Sequence, residues 1–206
     1  MKNYLSFIII VLLCVFLSQS AEAKTSEIKW DKWGVPHIEG RTESDVYYGF
    51  GWAQMRSHGN VILKMYARSR GRSAEYWGGA GNLQKDLVSR KLDVPARARQ
   101  WFEAQSPEMK QNINSFIAGM NDYCQRNPDQ IDPENKVVLP VTSIDPLAQL
   151  QISYHLMVGA FALQPQAAQW RSAGSNAWAI SPKKSVSGNA MLLMQPHPPW
   201  ADEYLF

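Results

Sequence analysis

The chain has 206 residues, 45% of them hydrophobic and 19% charged, the proportions of an ordinary globular protein rather than a disordered or fibrous one. Its 21 basic and 18 acidic residues leave a formal charge of only +3, with no Lys/Arg block, which excludes a nucleic-acid partner. No internal repeat or low-complexity tract is present.

The N-terminus reads separately from the rest. Lys2 precedes an apolar run from Tyr4 to Leu17, followed by Ser18-Gln19-Ser20 and Ala21-Glu22-Ala23. Small residues flanking one position fit the narrow pocket of a signal peptidase. The apolar run falls short of the roughly 20 residues a membrane span needs. Residues 1–23 are therefore expected to be a signal peptide cleaved after Ala23, which puts the mature chain in the periplasm or outside the cell with no stable membrane anchor. Leu13 before Cys14 is a poor match to a lipoprotein signal. Once the leader is removed Cys124 is the only cysteine, so no intrachain disulfide can form, and the thiol is expected to be buried in a helix.

In the mature chain, Glu27 to Trp30 and Val35 to Glu39 are β-prone runs around the turn-like Asp31-Lys32-Trp33-Gly34, which predicts a small hairpin. Thr42 and Asp45 have capping-box spacing, and Val46, Phe50 and Ala53 follow at helical spacing. Gly49, Gly51 and Gly59 lie in that helix, where each costs about 1 kcal/mol. Such a helix persists only if it packs tightly against something. Asn82 is expected to cap a helix over residues 83–92, which Val94-Pro95 interrupts before a second short helix reaching Ala104. Ser106-Pro107-Glu108 opens a helix with proline at its first position. Met109, Ile113, Phe116, Ile117, Met120 and Tyr123 line its apolar face, and it should end near Asn127-Pro128. Asp145-Pro146 opens another, through Leu150, Tyr154 and Met157 toward Phe161.

From Gln164 to Ala173 the periodicity dissolves into an exposed connector. Strand-like runs then cover residues 175–181 and 190–195, separated by a segment with turn chemistry at Ser187-Gly188-Asn189. Since an isolated hairpin is marginal in water, the stop at Phe206 suggests that much of the fold is missing from this chain.

The chemistry concentrates at the start of the first of these strands. If the Gly174–Ser175 bond is cut, Ser175 carries an α-amine of pKa about 8 beside its own hydroxyl, so one residue supplies both nucleophile and base. The same hydroxyl can make the cut by attacking the Gly174 carbonyl, where no side chain obstructs it. Gly-Ser-Asn by itself has little specificity and is also compatible with a linker. Antiparallel pairing about a centre near residues 185 and 186 brings position 196 or 197 opposite Ser175, so His197 falls beside the serine. There it either orients the nucleophile or is a loop histidine held among Pro196, Pro198 and Pro199.

Four motifs, in order, carry a resemblance: Trp33-Gly34-Val35-Pro36-His37-Ile38, Tyr48-Gly49-Phe50-Gly51-Trp52-Ala53, Gly71-Arg72-Ser73-Ala74-Glu75-Tyr76-Trp77-Gly78, and Gly174-Ser175-Asn176-Ala177-Trp178-Ala179-Ile180. Together they resemble the penicillin acylase family of N-terminal-nucleophile hydrolases. Gln195-Pro196-His197-Pro198-Pro199-Trp200 is similar to the histidine-bearing version in its acyl-homoserine-lactone and aculeacin acylase branch. The resemblance implies an exported precursor that cuts itself into α and β chains and hydrolyses small N-acyl amides. Ser175 would be its nucleophile and His197 an orienting group. The implied fold is α+β: a helical α-chain portion plus the first hairpin of an αββα sandwich, incomplete here.

The implied division is a leader at 1–23, a helical α-chain region at 24–174 that ends in a connector from about 164, and the start of the β chain at 175–206. The rest of that β chain is the expected heterodimer partner and supplies the oxyanion hole, so this chain alone is expected to be inactive. Helical residues contribute to the acyl pocket in the family, which makes Phe161 a candidate. No metal or organic cofactor is needed, although some relatives bind calcium. Where family members often have an acidic residue after the second motif, this chain has Met55-Arg56-Ser57-His58.

Other patterns lead nowhere. Ser181-Pro182-Lys183-Lys184 has the Ser-x-x-Lys form of β-lactamases but lacks the accompanying Ser-Asp-Asn and Lys-Thr-Gly. His37, His58 and His155 have no metal-ligand spacing. The rival reading is a non-catalytic exported helical fragment in which Gly174-Ser175 is a linker.

Overall fold

Asp31 closes the first turn. Its carboxylate accepts the backbone N–H groups of Trp33 at 2.8 Å and Val35 at 2.9 Å, and Gly34 takes a φ of +79° that favours glycine. This folds β1 (Ser26–Trp30) against β2 (Pro36–Gly40) as an antiparallel pair, Ser26 opposite Gly40 and Trp30 opposite Pro36. The computed structural model describes residues 26–163 and 174–197. The proposed leader at 1–23, the connector at 164–173 and the segment from Pro198 onward lie outside the described residues.

Thr42 then starts α1 (Glu43–Ser69) with the expected capping box: its hydroxyl accepts the Asp45 N–H at 3.2 Å and the Asp45 carboxylate accepts the Thr42 N–H at 3.1 Å. The Ser26 hydroxyl donates to the Asp45 carbonyl, tying β1 to the first turn of the helix. The helix kinks at His58, whose φ and ψ of −142° and 23° are not helical. Its glycines do what their cost requires. A Cβ on Gly51 would overlap the Phe116 carbonyl of α5 (Pro107–Arg126), and one on Gly119 would overlap the Tyr48 carbonyl of α1. The two helices therefore cross backbone to backbone. Gly119→Ala forces them apart, and about 3 kcal/mol of destabilisation is expected in urea unfolding. A change below about 0.5 kcal/mol would mean that the crossing is not so close.

The main core forms along this crossing, from Met55, Ile62, Leu63 and Tyr66 of α1 and Phe116, Ile117, Met120 and Tyr123 of α5. Ile131, Val138 and Val141 from the following loop close its end. The predicted face of α5 is thus inside, with Ile113 also buried and Met109 half-buried at the margin. Cys124 is buried as expected, and burial pushes its thiol pKa up to about 11.

Between these long helices lie α2 (Ser73–Trp77), α3 (Ala80–Lys91) and α4 (Val94–Glu103). Here one expectation needs correction. The third helix starts at Ala80 after Gly78 and Gly79, both at positive φ, and not at a cap on Asn82. Asn82 lies in the first turn and its amide reaches back to the Gly78 carbonyl at 2.9 Å. Asp93, in the left-handed region at φ 53°, marks the expected break before α4. The buried Asp86 of α3 accepts the N–H groups of Ser73 and Ala74 at 2.8 and 2.7 Å, so it satisfies the open first turn of α2.

α6 (Asp145–Leu163) begins where predicted and packs on α4 through Ala148 and Ile152 against Val94 and Ala98. Leu150, on its opposite side, and Tyr154, on its flank, are exposed. β3 (Gly174–Ile180) and β4 (Met191–His197) then form a second antiparallel pair, reaching two residues further at His197 than the sequence pattern indicates. Among the described residues no helix is long and apolar enough to cross a membrane.

Candidate active site

The candidate site lies at the open end of the β3–β4 hairpin. β3 carries Gly174-Ser175-Asn176 at its start, and β4 returns to end at His197. The intervening turn, with Gly188 at φ +70°, sets the register. Of the two positions that hairpin geometry brings opposite Ser175, the structure takes the first: Ser175 pairs with Pro196, and His197 pairs with Gly174. Directly opposed residues in an antiparallel ladder share a face, and neighbours along a strand alternate. Ser175 therefore shares its face with Pro196, whereas His197 stands across from the glycine that precedes the serine. The histidine is one register step from Ser175 and beside the Gly174–Ser175 peptide bond. Ser175 is exposed and His197 half-buried.

The hairpin is apolar on both faces. Ala177, Ala179, Leu192 and Met194 share the face of Ser175, and Trp178, Ile180, Met191 and Leu193 share the face of His197. Trp178 is 52% and Leu193 62% exposed within the described residues. Strands with apolar side chains in both directions are those of a sheet covered on both sides.

The remaining predicted residues lie elsewhere. Phe161 is in the last turn of α6, and its side chain is outside what the structure describes. In the segment that replaces the expected acidic residue, Met55 enters the core and the Arg56 guanidinium lies 4.3 Å from the Trp30 ring centroid, joining α1 to β1. His37 faces Asp31 at 3.4 Å, and His155 meets the Tyr154 ring edge-on. Among the described residues no three His, Cys, Asp or Glu side chains come together as metal ligands.

Two features escaped sequence reasoning. An apolar cleft of about 280 Å³ opens between α1, α5 and α6, lined by Phe50, Met65, Phe116, Pro146 and Leu150 among others. Its only sequence signal is that Phe50 and Leu150 fall on the sides of their helices away from the main packing. The second is a buried ion pair between Arg70 and Asp145, 75 residues apart, which anchors the start of α6.

Glycine-crossed helices followed by a hairpin that opens on Gly-Ser-Asn make an α+β arrangement. The solved thermostable penicillin G acylase from Alcaligenes faecalis, in its tetragonal form, has the same fold: the match covers 72% of this chain and 82% of that chain with a TM-score of 0.59 at 21% identity. The chain belongs to the penicillin amidase family, whose sequence profile matches residues 25–206. Among curated relatives, the acyl-homoserine lactone acylase PvdQ of Pseudomonas syringae pv. syringae (strain B728a) is 26% identical over 235 residues, covering 95% of this chain and 30% of the relative. PvdQ of Pseudomonas fluorescens (strain Pf-5) is also 26% identical, with 87% and 28% covered. The penicillin acylase 2 proenzyme of Pseudomonas sp. (strain SE83) is 30% identical over 96 residues, 47% of this chain. This chain thus spans less than a third of the length of the PvdQ relatives it matches.

Proposed function

We propose that this chain carries the α region and the nucleophile of an exported N-acyl amide hydrolase, in which scission after Gly174 makes Ser175 the first residue of a β chain. The observation that carries this reading is that β3 opens on Gly174-Ser175 within a family match extending through it. In the maturation step Ser175 Oγ attacks the Gly174 carbonyl carbon. The peptide C–N bond breaks, an ester forms, and the α-amine is released; water then hydrolyses the ester. A serine exposed at the strand start, preceded by a residue without a side chain, suits that attack.

In turnover the same oxygen attacks the substrate carbonyl while the Ser175 α-amine accepts the hydroxyl proton and passes it to the departing amine. Water, deprotonated in turn by the α-amine, then releases the carboxylic acid. His197, opposite Gly174 in the ladder, acts on the scissile peptide before the cut. Once Gly174 has left, the terminal serine is freed from its preceding bond and can turn toward the histidine, which then orients it. The oxyanion donors come from later in the β chain, and the two chains remain together as a heterodimer. By the family resemblance, helical residues contribute to the acyl side of the pocket, with Phe161 in the last turn of α6 the candidate. The acyl-homoserine lactone and penicillin acylases among the relatives support small N-acyl amides as substrates, and the leader-like residues 1–23 support a periplasmic or secreted location.

An α-amine base titrates near pH 8. With the protein expressed from its complete reading frame, kcat/KM is expected to rise about tenfold per pH unit below that value and to level off above it. His197→Ala should lower kcat by about a hundredfold, the lower range for a group assisting proton transfer. Unchanged turnover in that variant would remove the histidine from the mechanism, and a flat profile between pH 6 and 9 would remove the amine.

A further inference from the structure

A second cavity, of about 500 Å³, lies among α1, α2, α3 and the turn carrying Glu134, and no residue of the β3–β4 hairpin lines it. Val61, Lys64, Met65 and Arg68 reach it from one face of α1, since positions i, i+3, i+4 and i+7 align along a helix. Lys85 of α3 adds a third cation. Lys64 and Arg68 are four residues apart, a spacing at which like charges repel. None of the three cations has a carboxylate within ion-pair distance among the described residues, and Glu134 is the only acid lining the cavity. The nearby Asp86 is already committed to the N–H groups of Ser73 and Ala74.

Among the described residues, two buried polar atoms at the wall lack partners. The Arg68 Nε has no acceptor, and the Ser73 hydroxyl has none although the residue is only 2% exposed. Buried donors without acceptors are uncommon and costly. Together with three unpaired cations they describe a space arranged for an acceptor-rich anion. Trp77, whose indole N–H is fixed on the Glu134 carbonyl at 2.8 Å, joins Val61 and Met65 as an apolar wall.

We propose that this cavity is a binding site for a small oxyanion ligand, a carboxylate or a phosphate. Its charged end lies among Lys64, Arg68, Lys85 and the Ser73 hydroxyl, and its apolar body rests against Trp77. Arg68 gives the directional contact through its guanidinium, the two exposed lysines give attraction, and Ser73 donates one hydrogen bond when its hydroxyl rotates out of the wall toward the bound oxyanion.

Calorimetric titration of the whole protein with sodium benzoate, inorganic phosphate and neutral benzyl alcohol tests this. Binding of benzoate, phosphate or both, weakened by added salt, is expected, with none for benzyl alcohol. Preference between benzoate and phosphate identifies the source of the oxyanion. In the Lys64→Gln/Lys85→Gln double variant, whose side chains are exposed, the dissociation constant should rise about tenfold or more with the unfolding midpoint unchanged. Ser73→Ala should also weaken binding without loss of stability, because the hydroxyl it removes has no protein partner. Failure of both anions to bind, or binding equally strong in the double variant, would overturn the proposal. Neither result bears on the roles given to Ser175 and His197.

Discussion

Replacing Ser175 with alanine is expected to leave the translated protein as one uncut chain and to lower amide hydrolysis by about four to six orders of magnitude, the scale reached when a nucleophile that works as part of a unit is removed. Both effects follow from the same oxygen. Without it nothing attacks the Gly174 carbonyl, so the α-amine that serves as base is never released, and no acyl-enzyme can form. Truncating Ser175 to alanine removes a hydroxyl and no packing volume, so folding stability should change by no more than about 1 kcal/mol. Loss of activity in a stable, uncut protein therefore reports chemistry. Ser175→Cys retains an attacking atom and should still be cut. Intact mass and initial rates on the same samples check the cut and the activity of both variants, and urea unfolding checks the stability of the alanine variant. A cut, active alanine variant would transfer the nucleophile to another residue.

The second large effect is structural. The Arg70 guanidinium meets Asp145 through two hydrogen bonds, Nε to Oδ1 at 2.7 Å and Nη2 to Oδ2 at 2.6 Å. It also donates to the Val138 carbonyl at 2.7 Å and to the Pro140 carbonyl and Tyr76 hydroxyl at 3.2 Å. Asp145 accepts the Thr142 N–H at 2.6 Å and its hydroxyl at 3.0 Å. Side-chain exposures of 14% for Arg70 and 3% for Asp145 leave the pair largely buried, so water replaces a lost partner only in part. Arg70→Met or Asp145→Ala is expected to cost about 3–5 kcal/mol in urea unfolding, because each leaves an uncompensated buried charge. The Arg70→Met/Asp145→Leu double variant should lose much less than the sum of the single losses. Single losses below about 1 kcal/mol would show the pair to be peripheral. This cluster fixes the end of α1, the 138–142 loop and the start of α6 to one another, and so sets the position of the helix whose exposed side carries Leu150 and Tyr154.

Local signals in the sequence are legible where one short segment contains the whole cause. Thr42 and Asp45 are three residues apart and satisfy each other, and Ser106 accepts the Met109 N–H at 3.1 Å just before the proline-led helix. The cost of Gly51 pointed to a close neighbour, but not to Gly119, because a helix crossing is decided 68 positions away. Asn82 misled because its side chain suits a cap. The actual start uses the positive φ angles of Gly78 and Gly79, which favour glycine. Arg70 and Asp145 had no local mark, since Arg68, Arg70 and Arg72 look alike until the fold selects which one is buried.

At the candidate site, turn-centred pairing was enough to bring the two strand ends together. Facing was not legible, because a change of one residue in register moves a side chain to the opposite face. Pairing of His197 with Gly174 rather than Ser175 is what ties the histidine to the scissile peptide in the proposed mechanism.

That mechanism depends on one covalent event, so the most direct test is N-terminal sequencing and intact-mass analysis of the active protein expressed from its complete reading frame. The expected result is a second chain beginning Ser-Asn-Ala-Trp-Ala-Ile at Ser175. An uncut chain that hydrolyses N-acyl amides at the full rate would contradict the account and return Gly174-Ser175 to the status of a linker.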